Sequence, residues 1–272
     1  MTHSPTELRA LLDRHGLSAR RALGQNFVVD PNTVRRIVAL SGAGDGDPVI
    51  EIGPGLGSLT LALIEVGASI TAVEMDTELV PILREVVAHG DVTIVEGDAQ
   101  HVAWDDVLAD HPAWRLVANL PYNVATPLIL DLLRSVPPIR EMLVMVQLEV
   151  AERLAATVPN PAIGIPSVLV AYHGTATIAA RIPPTVFHPR PRVDSALVRI
   201  VRHETPPIAA PIETLEPLVR AAYRQRRKMI RKSLAGLASA DQMMAAGIDP
   251  QARPETLSIE SWGRLATEIG TR

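Results

Sequence analysis

Residues 49–65 read VIEIGPGLGSLTLALIE. The opening VIEIG, 49–53, is a short, mostly β-branched apolar run around one carboxylate, which is the pattern of a buried strand. Gly53-Pro54-Gly55-Leu56-Gly57 follows, and then a stretch at 57–66 of helical character. Strand, glycine-rich turn and helix in that order make the first half of a βαβ unit. Glycines in such a turn let the backbone pass close to a ligand where a Cβ would clash.

The same alternation continues outward. Residues 70–75 (ITAVEM) predict a second strand and 77–88 a second helix. Residues 92–96 (VTIVE) predict a third strand, ending at Gly97-Asp98-Ala99. A fourth strand at 114–118 precedes a helix near 125–135, and a fifth at 141–147 runs into a helix around 148–156. Short apolar strands alternating with helices imply a parallel sheet covered on both faces, a Rossmann-like α/β arrangement. Later strands at 175–182 and 193–202 flank a Pro-rich connection, 183–191, and suggest an antiparallel pair at the sheet edge. From about 205 the pattern is purely helical, at 212–222, 223–237, 239–246 and 258–269, with Pro206, Pro207 and Pro211 marking the change. The expected organisation is an α/β domain over 1–203 and a small all-helical domain over 204–272.

Composition bounds the function. The chain has 272 residues, of which 47% are apolar, so a sizeable core is available. It has no cysteine, which excludes disulfides and thiolate metal sites and fits a reducing, cytoplasmic setting. The start, MTHSPTELRALLDRHG, has no signal-type apolar stretch, and no run approaches the ~18 apolar residues of a membrane span. A monomer with no membrane and no metal is expected. The net charge of −4 argues at first against a polyanionic partner. Its distribution argues the other way. Residues 1–36 carry six arginines against three acids, residues 37–190 seven against eighteen, and residues 191–272 thirteen basic residues against nine acids. Two basic ends around an acidic middle leave room for a nucleic-acid surface.

Two carboxylates stand at strand ends beside the glycine turn. Glu74 closes the second strand, 21 residues after Gly53, and suits the hydroxyls of a ribose. Asp98 closes the third, where it can accept from an adenine amine. Open parallel sheets bind ligands at these carboxyl ends. A dinucleotide is the first rival, since Glu74 would serve its ribose equally well. However, the turn does not follow G-x-G-x-x-G spacing. S-adenosylmethionine requires a glycine turn, a ribose acid, an adenine contact and a second substrate at its methyl group.

The second substrate gives a role to residues 117–127, VANLPYNVATP. Here an apolar strand ends by presenting an amide, a rigid turn and an aromatic ring. An adenine exocyclic amine is a poor nucleophile because its lone pair is conjugated into the ring. The Asn119 side-chain oxygen and the Leu120 backbone carbonyl, accepting from its hydrogens, would favour the pyramidal and more nucleophilic nitrogen. Pro121 fixes φ and holds those acceptors still. Tyr122 offers a stacking face that tolerates the positive charge developing on the base. Phe187, one of only two phenylalanines, is read as closing on the same base from the other side.

LGQNF (23–27), EIGPGLGSLT (51–60), VEMD (73–76), EGDA (96–99), NLPYNVATPL (119–128) and FHPRPRVDSALV (187–198) occur in this order. Over nearly its whole length the chain resembles the ribosomal RNA adenine N6,N6-dimethyltransferase family. The resemblance implies S-adenosylmethionine as cofactor. It implies two adjacent adenosines near the 3′ end of small-subunit (16S) rRNA, in an assembling ribosomal subunit, as substrate. By the same resemblance Asn26 and Val28 border the methionine part of the cofactor, Gly53 its centre, Glu74 the ribose and Asp98 the adenine, with Asn119 between cofactor and target. Val28 departs from the leucine usual in the family, which matters little if the contact is through backbone.

Residues 223–234, YRQRRKMIRKSL, hold both lysines of the chain. Drawn as a helix, Tyr223, Ile230, Leu234 and Leu237 share an apolar arc. Arg220, Arg224, Arg227, Lys228, Arg231 and Lys232 share the next one. Such a face suits RNA phosphates, and Arg224, Arg227, Lys228 and Arg231 are the expected contacts. Arg14, Arg20 and Arg21 could extend it. Three alternatives stand beside small-subunit methylation. They are a large-subunit rRNA adenine methylase of antibiotic-resistance type, a non-catalytic RNA-binding assembly factor, and a DNA adenine methylase.

Overall fold

The computed structural model describes residues 3–18, 20 and 24–270. In chain order the elements are α1 (Pro5–Arg14), β1 (Phe27–Val28), α2 (Pro31–Ser41), β2 (Pro48–Ile52), α3 (Ser58–Glu65), β3 (Ser69–Glu74), α4 (Val80–Val86), β4 (Val92–Glu96), α5 (Trp104–Val107), β5 (Trp114–Asn119) and α6 (Ala125–Ser135). They continue with β6 (Ile139–Gln147), α7 (Leu148–Leu154), α8 (Ile165–His173), β7 (Gly174–Ile182), β8 (Phe187–His188), β9 (Ser195–Arg202), α9 (Ile212–Arg224), α10 (Ile230–Ser233), α11 (Ala240–Ala245) and α12 (Ile259–Gly270).

The main sheet has the order β4-β3-β2-β5-β6-β9-β7. From β4 to β6 every pairing is parallel, whereas β9 runs antiparallel to β6. The chain winds outward from β2 to β4 on one side and from β5 onward on the other. The crevice therefore opens between the carboxyl ends of β2 and β5, where Gly53 and Asn119 emerge. Both later strands join the sheet at this edge, with β9 inserted between β6 and β7.

Local chemistry explains the helix starts. At α1, Ser4 Oγ accepts from the Glu7 N–H at 3.3 Å and Glu7 Oε2 accepts from the Ser4 N–H at 2.7 Å, a reciprocal cap. At α2, Asp30 Oδ2 accepts from the Thr33 N–H at 2.9 Å, Pro31 occupies the first turn, and Gly42 ends the helix at φ +66°. Both helices, α8 and the β1–β8 pair fall outside the sequence expectation. The β1–β8 pair is two residues long, too short to carry a periodicity. One face of the sheet carries a continuous core: Val49, Leu63 and Leu83 are wholly buried in one cluster with Ile70. Burying each such side chain contributes about 1.5–3 kcal/mol, and Leu63→Ala would cost about 2–5 kcal/mol.

The chain forms two compact units, Met1–Ala151 with Thr177–Val201, and Glu152–Ala176 with Arg202–Arg272. The later crossing lies next to the expected 203/204 boundary. The stretch 152–176, expected in the first domain, groups with the C-terminal helices because α8 packs on α9 and α12.

The basic segment needs a correction. It is not one helix over 223–237. Helix α9 stops at Arg224, residues 225–229 turn, and α10 is a single turn. Tertiary hydrogen bonds replace helical ones: the Ile230 N–H donates to the Ala252 carbonyl at 2.7 Å and the Arg231 N–H to the Pro250 carbonyl at 3.1 Å. Ile230 and Leu234 are fully buried as expected, but Leu237 is 46% exposed. Among the described residues no helix is long and apolar enough to cross a membrane.

Candidate active site

A cavity of about 230 Å³ opens at the crevice. Its floor comes from strand ends: Ile52 and Gly53 at the end of β2, Val73 to Asp76 at the end of β3, Gly97 to Gln100 after β4, and Asn119 to Val124 from the last residue of β5 onward. Gly24 to Phe27 cross it from the N-terminal side. Among the sequence candidates, Asn26, Gly53, Glu74, Asp98, Asn119, Leu120 and Tyr122 meet around this one space.

The glycine turn explains the space. Gly53 has φ +70°, and a Cβ there would stand in open space, so the cavity reaches the backbone itself. Gly55, at φ +58°, has Phe27 Cε1 2.8 Å from where its Cβ would be, so the ring of Phe27 seals the turn from behind. Glu74 ties the turn to β3. Its Oε2 accepts from the Gly55 N–H at 2.9 Å and its Oε1 from the Asp76 N–H at 2.8 Å. Burial pushes its carboxyl above the ordinary range, and Asp76 adds to this, against the lowering by those N–H donors. Beneath the turn lies Glu51, 1% exposed. Burial, with a smaller contribution from the Glu74 charge, raises it to about 8, although the Thr60 hydroxyl favours the ionised form. Glu51 is therefore largely neutral at pH 7.

Asn119 leaves β5 with its orientation determined. Its Nδ2 donates to the Asn26 carbonyl at 2.8 Å. A carbonyl only accepts, so the nitrogen must face it, leaving Oδ1 for the cavity. The Leu120 side chain is buried, and its N–H donates to the Met145 carbonyl at 3.2 Å. What Leu120 offers a ligand is its own carbonyl. Asp98 lines the cavity beyond the end of β4; its Oδ1 accepts from the Gln100 N–H at 2.9 Å, and His101 Nδ1 lies 3.2 Å from Oδ2.

Two of the expected site residues stand outside this wall. Phe187 is a core residue. It is 4% exposed, packed in the core with Val28, Ile182 and Leu197, and absent from the cavity wall. Stacking a base requires an open ring face, which this ring does not present. Val28 also lies outside the wall, 7% exposed and paired in register with Phe187 across β1–β8. This pairing uses both residues to hold segment 24–27 against the body of the domain.

Other residues of the site went unnoticed in the sequence. Asp76, 5% exposed, gathers the Arg20 guanidinium at 3.2 Å, the Gln25 amide at 2.8 Å and the Glu78 N–H at 3.1 Å. Arg20 also pairs with Glu78. Met75, more than half exposed, lines the cavity between the two acids of VEMD. An exposed methionine flanked by carboxylates at a strand end was the available signal.

In the helical unit Arg224, Arg227, Lys228 and Arg231 are all exposed, and none makes an ion pair among the described residues. Arg226 does not belong with them: it donates to the Pro161 carbonyl at 2.6 Å and approaches Glu255. Arg14 pairs with Glu85, and Arg20 is occupied as above. Arg21 lies outside the described residues.

Residues 16–270 match the family model described as ribosomal RNA adenine dimethylase. Over 278 residues the chain is 46% identical to a ribosomal RNA small subunit methyltransferase A of Nocardia farcinica, covering 97% of this chain and 94% of that relative. Among solved structures it is similar to a dimethyladenosine transferase from Plasmodium falciparum, with TM-score 0.72 and 21% identity over 89% of this chain and 96% of that one. It is also similar to the 23S rRNA methyltransferase ErmE, with TM-score 0.70 and 24% identity over 90% and 99%. At these identities the two structures establish likeness of fold alone.

Proposed function

Since the chain belongs to the ribosomal RNA adenine dimethylase family, we propose that it methylates N6 of two adjacent adenosines near the 3′ end of small-subunit rRNA. It does so as a monomer in the cytoplasm, on an assembling ribosomal subunit. The observation that carries the chemistry is the pinned Asn119 amide, whose oxygen faces the cavity beside the Leu120 carbonyl and the Tyr122 ring.

S-adenosylmethionine, when bound, supplies an electrophilic methyl group. The cavity suits it: open space at Gly53, carboxylate acceptors at Glu74 and Asp98, and apolar walls at Ile52, Val73 and Leu79. Glu74 would hold the ribose, Asp98 the adenine amine, and Asn26 and Gly53 the methionine part. Asn119 Oδ1 and the Leu120 carbonyl accept hydrogen bonds from the target amine and direct its lone pair forward. Tyr122 stacks on the base and steadies its growing positive charge. No strong base is needed, because the methylated amine loses its proton readily to water. After one transfer the nitrogen keeps one hydrogen, so one acceptor suffices for the second. The exposed cations Arg224, Arg227, Lys228 and Arg231 bind RNA phosphates.

Curated relatives that carry the small-subunit name support the choice of subunit. The likeness to ErmE is one of fold and does not bear on it. The test is incubation with radiolabelled S-adenosylmethionine and separated small and large subunits from cells lacking the adenine marks, followed by nucleoside analysis. Dimethyladenosine confined to small-subunit rRNA supports the proposal. Label only in large-subunit RNA, or none with cofactor bound, rejects it.

A further inference from the structure

The segment FHPRPRVDSALV contributes to the site through a residue other than its phenylalanine. Because β9 runs antiparallel to β6, its first residue lies at the carboxyl edge of the parallel strands, where the cavity opens. That residue is Ser195, wholly buried and opposite Gln147 of β6. Two residues back along β6, Met145 lies opposite Asn119. Ser195 Oγ stands 2.6 Å from the Tyr122 hydroxyl. The main chain around the serine is held as well, since the Leu148 N–H donates to the Asp194 carbonyl at 2.9 Å.

We propose that Ser195 is a positioning residue for methyl transfer: by holding the Tyr122 hydroxyl it fixes the plane against which the target base stacks. The inference rests on the reading of Tyr122 as the stacking ring. Tyr122 is anchored at two points. Its backbone end sits in the turn closed by the Val124 and Ala125 N–H groups on the Pro121 carbonyl, and its far end is on Ser195. A ring held at one end must give up rotamer freedom each time a base arrives, whereas a ring held at both ends has already done so. Burial raises the Tyr122 phenol, so the hydroxyl stays protonated and the bond is between neutral groups. The second methyl transfer depends more on this hold than the first. The target nitrogen then offers one hydrogen instead of two, and stacking carries a larger share of its orientation.

The test uses the full chain with S-adenosylmethionine and unmethylated small subunits, comparing wild type, Ser195→Ala, Tyr122→Phe, the double variant and Tyr122→Ala. Ser195→Ala is expected to lower kcat about tenfold, to make monomethyladenosine accumulate, and to leave S-adenosylhomocysteine affinity by calorimetry unchanged. Tyr122→Phe removes the same bond from the other side and reads the same quantity should the buried serine not tolerate change. It is expected to match Ser195→Ala, and the double variant to be no worse than either. Wild-type rate and product ratio in both single variants, or losses that multiply in the double variant, overturn the inference. Full activity in Tyr122→Ala would instead remove the stacking reading itself, and the inference with it.

Discussion

The Asn119 amide nitrogen and the Asn26 main-chain carbonyl lie 2.8 Å apart, although 93 residues separate them in sequence. This contact joins the segment crossing the cavity to the strand end that presents the acceptor. Asn119→Ala removes that acceptor and should lower kcat by about 10²–10³-fold, in the range of other preorganised polar groups. RNA affinity should be nearly unchanged. Asn119→Asp should be no better, because a carboxylate oxygen would then face the Asn26 carbonyl. Single-turnover methylation beside RNA binding decides this. An Asn119→Ala enzyme keeping more than a tenth of wild-type kcat would remove the assigned role.

Glu74 holds the glycine turn and faces the cavity at once. Glu74→Gln sets an amide NH₂ against the Gly55 or Asp76 N–H. Cofactor affinity should fall by about 10–100-fold, the equivalent of about 1.4–2.8 kcal/mol. Calorimetry with S-adenosylhomocysteine measures it, and near-wild-type affinity would count against the ribose assignment.

Gly55→Ala sets a Cβ 2.8 Å from the Phe27 ring in a left-handed conformation. The expected cost is about 1–3 kcal/mol of stability, with weakened cofactor binding because Phe27 must shift. Gly16, also at positive φ but with nothing near its Cβ position, is the control for backbone strain alone.

Glu51 makes stability fall toward alkaline pH. An unfolded glutamate titrates near 4.3, whereas burial raises Glu51 in the fold to about 8. Between these values the native state keeps a proton that the unfolded chain has released. Stability therefore falls as pH rises through the window, by up to about 1.4 kcal/mol per pH unit, and levels off above about 8. Glu74, also raised, adds in the same direction. Glu51→Gln should flatten the slope, leaving the variant more stable than wild type at pH 9. Urea midpoints at pH 5, 7 and 9 test the sign.

Replacing Arg227, Lys228 and Arg231 together by Ala should weaken RNA binding and flatten its dependence on salt. Each lost phosphate contact lowers the slope of log K against log salt by about 0.7–0.9. Cofactor affinity should not change. An unaltered slope would show that these exposed cations do not meet RNA.

What the sequence determined by itself follows from local physics. The strand–glycine–helix at 49–65 is the product of short-range patterning and backbone freedom, and so are the acids at the ends of β3 and β4. Their neighbours along the chain suffice to specify them. The tertiary structure alone decided the contacts made across long sequence separations. It turned the Phe187 ring into the core, where two-residue β1 pairs with two-residue β8. It broke the basic segment after Arg224, since N–H groups at 230 and 231 found carbonyls at 252 and 250. It also brought buried Ser195 to the Tyr122 hydroxyl, because the reversed direction of β9 carries its first residue to the edge where the other strands end.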